Sequence, residues 1–209
     1  MKMAVVCANG KAGKLIVQEA LNRNFDVTAF ARGENQTAAP KAITKDLFDL
    51  TRKDMADFDV VVDAFGAWTE DTLPLHSTSL KHLCDILSGT DTRLIVVGGA
   101  GSLFVNPEHT ACVADGPNFP DAFKPLAAAM AKALGELRLR KDVQWTYLSP
   151  AADFQADGKR TGQYILGGEE LTLNSKGISE ISYADYAVAL VDEAEKGRNY
   201  QKRISVAGV

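Results

Sequence analysis

Three features are scarce in this sequence, and each scarcity argues against a class of function. There are only 3 cysteines, Cys7, Cys84 and Cys112, and none stands in a Cys-x-x-Cys pair. An odd, unpaired set argues against a disulfide framework and a thiolate metal site, and fits reduced thiols in the cytoplasm. The 3 histidines, His76, His82 and His109, fall in neither His-x-x-x-His nor His-Glu-x-x-His spacing, so no metal site is expected. Long apolar runs are also missing. The longest, "LIVVGGAGSLFV" (94–105), is too short and too Gly-rich to span a bilayer, and no signal-peptide core opens the chain. Nor is there a basic tract. The 23 Lys and Arg residues are dispersed and the net charge is −4, which makes nucleic-acid or anionic-membrane binding an unsuitable role. A cytoplasmic protein that acts on small molecules is the expectation.

What is present is a repeating alternation. Apolar, β-branched runs at 3–7, 26–30, 59–65, 93–99 and 143–149 are separated by segments of helical pattern, the signature of a parallel sheet covered on both faces. In the first helical segment Leu15, Ile16, Ala20 and Leu21 share a face, with Lys14, Glu19 and Asn22 expected toward water. Residues 42–47 read as an added edge strand. Helices are expected over 72–88, stopped by Gly89, and over 120–140, where Pro125 delays the start to near Lys124. Residues 150–180 read as loops and small strands over the carboxyl edge of the sheet, followed by a helix over 183–196 and a last strand. The 209 residues, 46% hydrophobic, suffice for one domain spanning 1–209.

The run 3–7 leads into Asn9, Gly10, Lys11, Ala12 and Gly13 and then a helix. A glycine turn between strand and helix presents backbone N–H groups and the helix N-terminus to a pyrophosphate. Gly10 permits close backbone approach, and Gly13 permits close helix packing. Cys7 occupies the place of a first glycine. In an ordinary extended backbone a small thiol fits there as an apolar filler, whereas a positive φ would strain it, so the position is expected to be a tolerant one. A second reading places the thiol beside the pyrophosphate, blocking the cofactor when oxidised.

"CANGKAG" resembles the GxxGxxG of the atypical short-chain dehydrogenase/reductases, and the resemblance continues through "VVVDAFG", "LIVVGGAGS", "WTYLSP" and "ISYADYAVALVDE". It covers nearly the whole chain and is strongest to the small NmrA-like proteins provisionally named NAD(P)H-flavin reductases, relatives of biliverdin reductase B. The resemblance implies a Rossmann-type, doubly wound α/β fold with a parallel sheet and a small C-terminal region covering the substrate. It also implies that Asp46 and Leu47 contact the adenine, and that Phe65, Gly66 and Ala67, with Gly98 and Gly99, lie along the pyrophosphate and nicotinamide ribose.

At the end of the second strand, where an NAD site places an acid, the sequence has Arg32. A guanidinium suits a 2′-phosphate, so NADP(H) is favoured, while Glu34 nearby leaves NAD(H) possible. The other reading of Arg32 is a solvated loop charge. Ser102 is the candidate for the catalytic Ser of short-chain dehydrogenases, but their Tyr-x-x-x-Lys is replaced by Phe119 to Phe123. Lys124 and Lys132 are nearby and read mainly as helix-surface charges. The loss of that pair argues against alcohol dehydrogenation and leaves direct hydride transfer to a flavin feasible. Trp68, Phe104, Phe119, Phe123 and Phe154 are candidates to stack on a flat substrate.

The leading expectation is an NADPH-dependent oxidoreductase, a monomer or weak homodimer, that takes FMN, FAD or a quinone-like acceptor as substrate and not as a bound prosthetic group. The alternative is a non-catalytic, NADP(H)-sensing regulatory protein. An isomerase-like activity on an unidentified metabolite is the third reading.

Overall fold

The computed structural model describes residues 1–209. The chain starts with β1 (Lys2–Val6), whose last four residues are all buried and point alternately to opposite faces. Met3 and Val5 enter one core, and Ala4 and Val6 the other. This two-sided burial is why the strand reads as an unbroken apolar run. There follow α1 (Lys11–Asn22), β2 (Asp26–Ala31), β3 (Lys41–Thr44), α2 (Arg52–Met55), β4 (Val60–Asp63), α3 (Leu75–Leu87), β5 (Arg93–Val97), α4 (Lys124–Leu137) and β6 (Gln144–Ser149). The chain closes with β7 (Asp153–Gln155), β8 (Ile165–Gly167), β9 (Glu180–Ser182), α5 (Tyr183–Lys196) and β10 (Lys202–Ala207).

The main sheet has 8 strands in the order β3-β2-β1-β4-β5-β6-β10-β8, parallel except for β8 against β10. This is the doubly wound Rossmann arrangement anticipated above. Helices α1 and α5 pack together on one face, and α3 and α4 on the other. The order reverses at β1, which lies between β2 and β4, and a ligand crevice forms outside the carboxyl ends at such a reversal.

Two segments differ from the sequence reading. Glu19 is not on the water side of α1 but only 4% exposed, because Arg23 of the same helix and Arg160 of the covering segment both bond its carboxylate. The segment 150–180 holds the expected small strands, but they do not all lie over the edge. Its β8 extends the main sheet, while β7 pairs with β9 in a separate 2-stranded ribbon. Asp185, buried in the first turn of α5, accepts from the N–H groups of Thr161 and Gly162 and from the Thr161 hydroxyl, which anchors this segment. Gly197 closes α5 with φ +55, a left-handed cap that glycine adopts at no steric cost.

Candidate functional site

Because β1 to β6 run parallel, their carboxyl ends lie on one rim, and strand order ranks the loops along it. A cleft of about 1150 Å³ follows this rim from the β2 side to the β6 side. Four strand intervals separate those sides, a span of about 19 Å at ~4.8 Å each. On the β2 side the lining comes from Asn9, Gly10, Lys11, Ala12, Arg32, Asp46, Leu47 and Phe48.

The turn after β1 departs from expectation at its first residue. Cys7 has φ +60, so the position does demand the left-handed region and is not a tolerant extended one. An L-residue there costs roughly 1–2 kcal/mol. The turn is closed by the Gly10 N–H donating to the Cys7 carbonyl, and it is tied to β2 by the Ala8 N–H donating to Phe30. Burial pushes the Cys7 thiol up to about 12, which disfavours the thiolate that oxidation requires.

Gly10 stands at the N-cap of α1 with no side chain capping the helix, leaving the first-turn N–H groups available to an anion. Gly13 serves packing: a Cβ there would sit 2.7 Å from the Ala8 carbonyl oxygen, and it does not line the cleft. The Asn9 side chain acts as a brace. Its amide donates to the Glu34 carbonyl and its oxygen accepts from the Gln36 N–H, which holds the loop carrying Arg32 against the glycine turn. Arg32 is exposed and forms no ion pair or hydrogen bond within the chain. The Asp46 carboxylate accepts from the Phe48 N–H, Leu47 is buried, and Phe48 projects half-exposed into the cleft.

On the β4 to β6 side the lining is Phe65, Gly66, Ala67 and Trp68, then Gly98 and Gly99, and then Pro150 to Phe154 with Tyr183. The two strand-end glycines have different neighbours. At Gly98 a Cβ would meet the Tyr147 ring at 2.3 Å, and at Gly99 the Met130 sulfur at 2.9 Å. Trp68 is 71% exposed, and its indole nitrogen lies beside Gly66. Phe119 and Phe123 line the same cleft, and Phe154 stacks on Tyr183 with centroids 3.8 Å apart.

Ser102 and Phe104 fall outside the cleft, contrary to expectation. The Ser102 hydroxyl accepts from Arg203, which also donates to the Glu169 carbonyl. Phe104 lies under that guanidinium and stacks on His109 at 4.3 Å. Both residues belong to a staple joining the loop after β5 to β10. Lys124 and Lys132 are exposed and pair with Asp121 and Glu136.

Sequence reasoning passed over Phe48, His76, Met130 and Tyr183, all of which line the cleft. Tyr183 had a usable signal. It is the first residue of a helix whose start was legible, and a helix that begins at the carboxyl rim points its first residue at the opening. The uncapped α1 terminus, the free guanidinium and the long cleft fit a nicotinamide dinucleotide.

The comparisons agree with this geometry. Residues 7–194 match the family described as NAD(P)H-binding. The uncharacterized protein YwnB of Bacillus subtilis is 42% identical over 99% of this chain and 98% of its own. A Streptococcus pneumoniae structure provisionally named an NADH-flavin reductase is 54% identical, with full coverage of both chains and a TM-score of 0.97. A Burkholderia pseudomallei structure provisionally named an exported protein is 36% identical over 99% of both chains, with a TM-score of 0.88. No helix of this chain is long and apolar enough to cross a membrane. The glycine turn, the order of the sheet and the match over 7–194 lead to one conclusion: the chain belongs to the NAD(P)H-binding family.

Proposed function

We propose that this protein is a reductase that carries hydride from NADPH to a flat, conjugated acceptor, with FMN, FAD and quinones as the acceptor class. The observation that carries the reading is the aromatic mouth at the β4 to β6 end, where Trp68 stays largely in water on the wall of the cleft. An indole left exposed beside Gly66 gains nothing from folding, and it offers a face on which a planar ring stacks. The cleft of about 1150 Å³ exceeds the roughly 300–1,000 Å³ of a site for one small molecule, which leaves room for cofactor and acceptor together.

The division of labour follows the rim. The α1 N-terminus and Gly10 hold the pyrophosphate, Arg32 takes the 2′-phosphate as a bidentate donor, and Phe48 flanks the adenine. Phe65 to Ala67 and Gly99 line the nicotinamide end, and Trp68, Phe119, Phe123, Phe154 and Tyr183 hold the acceptor and exclude water. The nicotinamide supplies hydride to the acceptor. No paired Tyr and Lys lines the cleft, so positioning carries most of the rate, which suits an acceptor that delocalises the added electron pair. The acceptor enters and leaves as a substrate, and the reaction draws on the NADPH of the cytoplasm. We read residues 1–209 as one catalytic unit, monomeric or weakly dimeric.

The test is NADPH oxidation by the purified protein under anaerobic conditions with FMN, FAD and a small quinone, with NADH in parallel. Turnover with NADPH well above NADH supports the reading. Tight NADP⁺ binding without turnover of any acceptor refutes it in favour of a nucleotide sensor.

A further inference from the structure

Asp63, the last residue of β4, is only 4% exposed, and no cation pairs with it. Its carboxylate accepts the Phe65 N–H at 3.0 Å. Beside it lies a small cavity of about 20 Å³ lined by Asp63, Phe65, His76, Ser79 and Tyr147 among others. That is room for one water, since a water needs about 10–15 Å³ by the same measure and two or more polar partners. Partners are on hand. The Ser79 hydroxyl is buried without any hydrogen bond, and the Tyr147 hydroxyl, which accepts from the Gly99 N–H, keeps its own proton to donate. Phe65, His76, Val97 and Met130 line this cavity and the cleft alike, so they form the wall between the two.

We propose that Asp63, Ser79 and one bound water form a proton-holding site beneath the cleft floor, and that its proton is coupled to the charge of the nicotinamide ring bound above. The proposal rests on the cofactor placement given under the proposed function. A buried carboxyl with no cationic partner favours its neutral form, and a positive ring across a thin apolar wall favours the carboxylate. When the oxidised, cationic cofactor binds, the Asp63 O–H bond breaks and the proton departs. When the reduced, neutral cofactor binds, the proton stays. Over one turnover, the hydride and the proton shed by Asp63 together supply what a two-electron acceptor gains, and the carboxylate is reprotonated from solvent before the next reduced cofactor.

His76 in the shared wall is suited to the exit. Its Nε2 must carry hydrogen to donate to the Ala67 carbonyl at 3.1 Å, which leaves Nδ1 as a bare lone pair. Asp63 is also the group around this cavity that changes charge near neutrality. Burial holds its carboxyl up to about 6, while Cys7, Cys84 and Tyr147 are pushed up to about 12 and His76 is pushed below its usual range. Arg32 and Asp46 are the charged groups that act on Cys7 from the cleft mouth, and both are present whichever redox form is bound.

The test is proton release on mixing the protein with NADP⁺ in weak buffer with an indicator dye, at about pH 6 where a group of this kind is half-titrated. The NADPH arm subtracts protons that belong to the 2′-phosphate. The expected result is release with NADP⁺ over NADPH, lost in Asp63→Asn, and NADP⁺ affinity that rises about tenfold per unit of induced pKa shift as the pH is raised. Equal release with both cofactors, or release retained by Asp63→Asn, overturns the proposal. Ser79→Ala keeps the carboxyl and should move the pH midpoint of the release; an unmoved midpoint removes the water link. Failure of turnover with every acceptor refutes the reductase reading and leaves this proton count standing. Failure of both nucleotides to bind overturns the two together.

Discussion

At the β2 end of the cleft a ligand meets mainly backbone, with N–H groups of the glycine turn and one free guanidinium. At the β6 end it meets side chains drawn from four separate stretches, around Trp68, Phe119, Phe154 and Tyr183. The first end is built by local rules, since a strand, a turn and a helix within about 20 residues suffice to bind an anion. The second depends on the whole sheet, because its residues converge only after β4, β5, β6 and α5 are in place. On the proposed function, specificity for the dinucleotide therefore belongs to a local motif, and specificity for the acceptor to the tertiary structure.

The sharpest way to break that division is Gly13→Val. Its Cβ would stand 2.7 Å from the Ala8 carbonyl oxygen, so α1 must shift, and a loss of about 3 kcal/mol in stability with loss of nucleotide binding is expected. Thermal unfolding and a binding titration check this. If the local motif were insulated from the core, binding would fail with the melting temperature intact.

Asp63→Asn probes the boundary between the ends and should act in the opposite sense. The folded carboxyl is held at about 6 against an ordinary 3.8, so the folded state binds more protons between those values and stability falls as pH rises through the window. The penalty is fully present above it, on the order of 2–3 kcal/mol. The variant should melt higher than the parent near pH 8 and show the smallest gap below about pH 4. Denaturation at the two values reads the difference, and a constant gap would sink the assignment.

Arg32→Ala should weaken NADPH by roughly 30-fold, the equivalent of about 2 kcal/mol for a charge-assisted bidentate contact, and leave NADH unchanged. Equal losses for both would place Arg32 outside the phosphate site. Trp68→Ala tests the other end. Removing one stacking face worth about 1 kcal/mol should raise the acceptor KM several-fold while the NADPH affinity stays constant.

The smallest effect separates strain from chemistry at Cys7. Comparing Cys7→Gly with Cys7→Ala removes the side chain from both, so the glycine variant should be more stable by about 1 kcal/mol on account of the positive φ alone. Equal stabilities would mean that the turn relaxes.

The same contrast explains what could be read from the chain. Helix α5 was legible to the residue, because Ser182 caps it, Gly197 ends it and the apolar period runs unbroken between them. The buried ends of β1 and β4 were legible as β-branched runs. Glu19 was not, since its burial depends on Arg160, which lies 141 residues away and arrives only when the covering segment folds back. Ser102 misled for a related reason. It follows a cofactor strand as a catalytic Ser would, yet Arg203 on β10 claims its hydroxyl.

The sequence by itself determined the alternation of strands and helices, the glycine turn after β1 and the basic residue after β2, because periodicity, glycine placement and charge act over a few residues. Only the tertiary structure decided that Cys7 sits at positive φ, that Ser102 and Phe104 leave the cleft, and that Asp63 lines a small cavity with Ser79 and His76. Each of those outcomes depends on which distant segment supplies the neighbouring atoms, and neighbours in space are set by the packing of the sheet and its helices.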